Sequence, residues 1–201
     1  SPKARRNAML LEVDIYPAEG QPDLPAQQVA GEAPDAGLPA EVRVHAARGY
    51  LVQGQLDRDQ VERIARELLA DPVVERTVVA PAGDPVLMTP PEPGMEPVHV
   101  LPKPGVMDPV AQSALVAIAD FGVPAEAVRT LKKYWIAGVP DAMREQLYWK
   151  LLANDAVEQV VAGPLPFDRL EFGSPYQFER VTVPLDTMDD DLLMRLSLDG
   201  Q

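Results

Sequence analysis

The sequence carries the same pattern twice, and this constrains the fold more than any single motif. Residues 13–41 align with 98–126 at an offset of 85, with eleven of twenty-nine positions identical. Val13 meets Val98, Pro17 meets Pro102, Gly20 meets Gly105 and Asp23 meets Asp108. Ala26-Gln27 meets Ala111-Gln112, Asp35 meets Asp120, Gly37 meets Gly122, and Pro39-Ala40-Glu41 meets Pro124-Ala125-Glu126. After a one-residue slip, Val44, Tyr50, Val52 and Gly54 fall on Val128, Tyr134, Ile136 and Gly138. A second slip places Leu68-Leu69-Ala70 on Leu151-Leu152-Ala153, Val74-Glu75 on Val157-Glu158, and Pro81 on Pro164. The slips fall between predicted elements, where insertions are tolerated. Matched glycines and prolines favour a duplication over coincidence between similar folds.

Each copy reads as β-α-β-α-β. Leu11, Val13 and Ile15, or Val98 and Val100, alternate as a strand. A Pro/Gly loop follows, then a helix capped by Asp23 or Asp108. Ala111, Ala114, Leu115, Ile118 and Ala119 give the second copy a helical apolar stripe. In the first copy, Pro34 interrupts the stripe of Ala26, Val29, Ala30 and Ala33, so that helix is expected to end early or kink. Gly37 and Gly122 terminate the two helices. Longer strands are predicted over 42–53 and 128–137, second helices over 57–70 and 141–153, and final strands over 73–79 and 156–161. The expected fold class is an α/β (α+β) sandwich of two tandem units forming a covalent pseudo-dimer. Each unit of about 75 residues has a marginal core, and the other copy supplies cover for its sheet.

The predicted organisation is repeat one at 9–81, a Pro-rich linker at 82–97, repeat two at 98–164, and a tail at 165–201 leading toward a following domain. Pro85, Pro90, Pro91, Pro93 and Pro97 make the linker a semi-extended spacer. Phe167–Pro184 reads as an extended segment, and Asp186–Leu198 as the start of a helix capped by Thr187. Met9 is a plausible natural start, and the end at Gln201 reads as a cut before a further domain.

Charge and composition exclude several functions. A net charge of −13 argues against nucleic acid and anionic membrane surfaces, since both need a basic face. With no cysteine, disulfide scaffolds, thiolate metal sites and cysteine nucleophiles are out. His45 and His99 lie in strand-like runs and read as structural or exposed, so no histidine zinc site is expected. No apolar run approaches a membrane span, and residues 1–8 lack the apolar core of a secretory signal, which points to the cytoplasm.

No catalytic motif is present: no phosphate-binding glycine loop, no HExxH and no nucleophile elbow. Asp189-Asp190-Asp191 reads as a solvated helix start rather than a cation site. Lys132-Lys133-Tyr134-Trp135 could hold an anion or stack on a base, but reads as a strand with two exposed lysines and two rings against a neighbour. Trp149 and Tyr148 are further core or interface anchors. Lys103-Pro104-Gly105-Val106-Met107-Asp108-Pro109 joins strand to helix: Gly105 permits the turn, Asp108 caps, and Pro109 takes the first helical position. A phosphate at this helix start would meet repulsion from Asp108.

Lys103–Pro109, Val128-Arg129, Lys132-Lys133-Tyr134 and Leu151-Leu152-Ala153-Asn154, in that order, resemble the PurS family, the small subunit of phosphoribosylformylglycinamidine synthase. The resemblance covers Val98–Gly163, with Leu11–Ala80 a diverged copy keeping Gly20, Asp23 and Arg48-Gly49-Tyr50. It departs at Val110-Ala111-Gln112, which lacks the family's glycine, and at Lys132-Lys133, where Gly-Lys is common. The resemblance implies a non-catalytic module of a carbon–nitrogen ligase that converts formylglycinamide ribonucleotide to its amidine in purine biosynthesis. Its partners would be the ATP-dependent synthetase core and the glutaminase, which it bridges. ATP and magnesium belong to the complete enzyme, and no cofactor, metal or catalytic residue is expected in this segment. Lys103, Gly105, Asp108, Pro109, Lys132, Lys133, Tyr134 and Trp135 are its signature and possible interface residues. Similar tandem sandwiches also serve as regulatory small-molecule-binding pairs, the alternative reading.

Overall fold

Six strands form one antiparallel sheet in the computed structural model, which describes residues 8–171. The strands are β1 (Met9–Pro17), β2 (Arg43–Gly54), β3 (Glu75–Pro81), β4 (Glu96–Pro102), β5 (Ala125–Ala137) and β6 (Glu158–Ala162). Their spatial order is β3-β1-β2-β5-β4-β6. Both halves therefore use their longest strand at the centre, where β2 and β5 pair from Arg43↔Ala137 to Gly54↔Ala125.

The four α-helices among the described residues lie on one face. They are α1 (Leu24–Glu32), α2 (Arg58–Ile64), α3 (Pro109–Asp120) and α4 (Arg144–Leu147). The first helices cross the central seam. Ala26, Val29 and Ala33, of α1 and its C-cap, pack with Val98, Val100, Tyr134 and Ile136 of the second half. Ala111, Ala114 and Ile118 of α3 pack with Leu11, Val13, Tyr50 and Val52 of the first. The apolar stripe read in the sequence thus buries against the other half's strands. As Pro34 requires, α1 stops short of the twelve-residue α3. Asp23 and Asp108 cap these helices as expected, and Gly37 and Gly122 follow them with φ near +80°.

Three expectations need correction. The second helices are not continuous α-helices over 57–70 and 141–153: α2 gives way to a π-turn at Ala65–Leu69, and α4 is a single turn between a 3₁₀ turn (Asp141–Met143) and a π-turn (Tyr148–Leu152). The π-turns turn Leu69 and Leu152 carbonyls toward strand side chains. The predicted final strands begin two residues later, at Glu75 and Glu158, because Asp71 and Asn154 organise turns just before them. Third, residues 82–97 are no spacer. A 3₁₀ turn at Pro85–Met88 and the buried Leu87 and Met95 lie over the sheet's second face. Glu96 and Pro97 already belong to β4.

That second face is buried too. Leu10, Leu51, Leu101 and Leu131 pack with Leu165, while Tyr16, Ala47 and Trp135 pack with Met95. The sheet is therefore covered by helices on one side and by two irregular segments on the other. Phe167–Glu171 holds no strand, although the Leu170 N–H donates to Gln53 Oε1 at 2.7 Å. The expected Thr187 cap, the Asp189-Asp190-Asp191 run and the rest of the predicted tail lie outside the described residues.

Candidate functional site

The Lys103–Pro109 loop is a structural joint. Gly105 has φ 82°, a left-handed conformation that favours glycine. Arg129 donates to the Val106 carbonyl, and Lys103 pairs with Asp155 beyond the π-turn. Asp108 Oδ1 accepts the Ala111 N–H at 3.0 Å, while Oδ2 accepts the Thr130 N–H at 2.8 Å and its hydroxyl at 2.9 Å. One carboxylate thus starts α3 and ties it to β5, with Pro109 at the first helical position. Asp23 repeats the device, with Oδ1 on the Ala26 N–H and Oδ2 on the Ala46 N–H of β2. Each carboxylate thus takes the place that a bound anion would have on the N–H groups of its own helix start.

Lys132 to Trp135 split across the sheet, because successive strand residues face opposite sides. Lys133 and Trp135 point to the second face and are 0 % and 1 % exposed. The expectation of two exposed lysines is therefore corrected for Lys133: the covering segment 82–95, which the sequence pattern did not place, buries it together with Trp135. Trp135 Nε1 donates to the Tyr16 hydroxyl at 2.9 Å.

Lys133 centres an ionic cluster built from both halves. Its ammonium donates to Asp14 Oδ2 at 2.6 Å, the Leu87 carbonyl at 2.7 Å and Glu12 Oε1 at 3.2 Å. His99 Nε2 meets Glu12 Oε1 at 2.9 Å, and its Nδ1 meets the Gly163 carbonyl at 2.9 Å. The His99 ring thus bridges the Glu12 carboxyl and a backbone carbonyl of the loop after β6. Burial pushes the Glu12 carboxyl up, but the His99 hydrogen bond and the charges of His99 and Lys133 outweigh it and hold it down to about 2. For Asp14, burial and then the Glu12 charge outweigh Lys133, and its carboxyl is pushed up to about 8. Asp14 Oδ1 is buried without a partner among the described residues. Glu12, Asp14 and His99 were not among the expected site residues. Their only sequence signal is two acids two apart in a strand, which reads as a solvated face until the second cover is known.

Lys132 and Tyr134 instead face the helices. Lys132 pairs across the seam with Arg48, the residue it matches in the internal alignment. Each cation reaches a π-turn and a third strand of its own half. Arg48 donates to the Leu69 carbonyl at 3.0 Å and to both Glu75 oxygens, at 3.0 and 2.8 Å. Lys132 donates to the Leu152 carbonyl at 3.3 Å and pairs with Glu158 at 3.0 Å. Between the halves on this face opens a pocket of about 570 Å³ to which both cations contribute. His45 lies at the surface beside Glu92, as expected. Trp149, expected as a core or interface anchor, is instead exposed outside the core and donates to Glu145 one helical turn away.

Among the described residues, no group of three or more His, Cys, Asp or Glu side chains could hold a metal ion, and no helix is long and apolar enough to cross a membrane. No protein-family model matches the chain, and no curated protein matches it.

Proposed function

We propose that this chain is a non-catalytic assembly module of a phosphoribosylformylglycinamidine synthase, in which two PurS-like units form an internal pseudo-dimer that bridges the glutaminase and the ATP-dependent synthetase core. The observation that carries the reading is the seam. Equivalent central strands pair antiparallel, and Arg48 pairs with its own counterpart, Lys132. For antiparallel strands of equivalent sequence, a self-pair marks an approximate two-fold axis, as in a symmetric dimer. The duplicated Asp23 and Asp108 tethers and the sequence resemblance over Val98–Gly163 support the same reading. The polar groups are used inside the fold: Glu12, Asp14, Lys133 and His99 bind one another and backbone carbonyls. That suits a scaffold whose interior fixes the relation of two halves. Any docking surface must then come from outward-facing groups such as Lys103 and Lys132, with Lys133 and Trp135 supporting them from within.

The test is turnover by the synthetase core and glutaminase, with and without this chain, using glutamine or ammonium chloride as nitrogen donor. A bridging module is required for the glutamine-dependent rate and leaves the ammonia-dependent rate unchanged. If neither rate responds and the proteins do not co-elute, the reading is wrong.

A further inference from the structure

The Arg48–Lys132 pair is a poor way to hold two strands together. Like charges directly opposite each other in an antiparallel sheet are destabilising. Each is offset by its own glutamate, Glu75 or Glu158, and each side chain remains partly exposed, 46 % and 43 %. Donors are left over. Arg48 spends Nε and Nη2 on Glu75 and Leu69, and its Nη1 has no partner among the described residues. Lys132 directs its ammonium, with three protons, at two acceptors.

The pocket beside them has a matching character. Its wall is Pro17, Pro22, Leu24, Pro25 and Val74, contributed by the end of β1, the loop before α1, the start of that helix and the turn before β3. Its volume of about 570 Å³ lies within the usual range of small-molecule sites, about 300–1,000 Å³. Two acids also line it, and each is engaged by protein donors: Asp23 by two backbone N–H groups, and Glu75 by Arg48 and the Asp71 N–H. A pocket with an apolar wall and spare cationic donors at its floor selects a ligand with an apolar body and a negative head. The two nearby carboxylates and the net charge of −13 disfavour a multiply charged anion such as a polyphosphate.

We propose that this pocket binds a small monoanionic carboxylate with an apolar body, its head taken by Arg48 and Lys132 and its body by the proline-rich wall. Because one cation comes from each half, such a ligand clamps the seam and stabilises the folded chain. The site shares Lys132 with the proposed docking surface, but its test reads ligand binding by this chain alone, without the synthetase core or glutaminase.

The experiment uses the full chain and three probes of one shape: 4-phenylbutyrate, 4-phenylbutanol and 4-phenylbutylamine. Calorimetry and amide chemical shifts follow binding. The expected result is saturable one-to-one binding of the carboxylate, at least about tenfold tighter than the alcohol, with the amine weaker still, and shifts centred on residues 22–25, 46–48 and 132–134. Lys132→Gln should weaken the carboxylate about tenfold and leave the alcohol unchanged. Leu24→Glu keeps the fold, since Leu24 is exposed at the first turn of α1 where an acid is favourable, and should abolish carboxylate binding. No binding by the carboxylate, equal binding of all three probes, or unchanged binding in folded Leu24→Glu would each overturn the proposal.

Discussion

Asp108 shows how much one side chain carries. Its two oxygens serve three donors on two elements. Replacing it with alanine removes a helix cap, worth about 1 kcal/mol, and strands the Thr130 N–H, at about 1–3 kcal/mol more. Asp108→Ala should therefore lose about 2–4 kcal/mol in urea unfolding, and Asp108→Asn, which keeps one acceptor, should lose less. The buried cluster makes a different prediction, one about pH. Glu12, held to about 2, contributes stability above the ordinary carboxylate range that is lost as pH falls from about 4.5 toward 2. Asp14, raised to about 8, has the opposite sign: the folded chain holds its proton more tightly than the unfolded chain does. Its contribution is full below about pH 4 and is lost as pH rises through 8. The urea midpoint should thus decline from pH 5 to 8. Asp14→Asn, which fixes the neutral form in similar shape, should flatten that decline while leaving the acid limb in place. An unchanged slope would mean that Asp14 is ionised in the fold.

Among the elements, the seam between β2 and β5 is the most exacting. A Cβ at Gly49 would sit 2.3 Å from the Val13 carbonyl oxygen and 3.0 Å from Leu131, so β1 and β5 close on that glycine from either side. Gly49→Ala should cost about 3 kcal/mol, at the upper end for over-packing. Gly105→Ala meets open space and carries only the left-handed backbone penalty, about 1–2 kcal/mol. Thermal unfolding of the two variants checks the order. This contrast also marks what could be read from sequence. Element order, the caps at Asp23 and Asp108, the early stop of α1 at Pro34 and the glycine after each first helix all follow from local chemistry within a few residues. What local chemistry does not contain is which strand lies beside which and what covers the second face. The alternation Leu11-Glu12-Val13-Asp14-Ile15 is that of a strand with one wet side. Only the segment carrying Leu87 and Met95, folded back over the sheet, turns Glu12 and Asp14 into buried groups and Lys133 from an apparent surface cation into their partner. The π-turns were equally hidden, and the contacts their carbonyls make, Leu69 with Arg48 and Leu152 with Lys132, are long-range.

At the scale of the whole molecule, the halves are interlocked three ways. The β2–β5 ladder joins them edge to edge, α1 and α3 each pack on the opposite half, and the buried titratable cluster is divided between them. Glu12 and Asp14 belong to the first half, His99 and Lys133 to the second. A first half alone would expose the β2 edge and the apolar stripe of α1, and would leave Glu12 and Asp14 buried without their partners His99 and Lys133. The second half would carry an unpaired Lys133 beside a similarly bare β5 edge. Chains of 1–95 and 96–201 should therefore each lack cooperative unfolding and slow amide exchange when expressed alone. Mixed at equal concentration, they should recover both, with a midpoint that rises with total concentration as a two-chain equilibrium requires. A half that folds cooperatively by itself would show that the seam joins two finished domains, and the buried cluster would then be a contact made after folding. Recovery that needs both chains makes the seam the core of the molecule, with Lys133 holding Glu12 and Asp14 of the first half as part of one folding reaction.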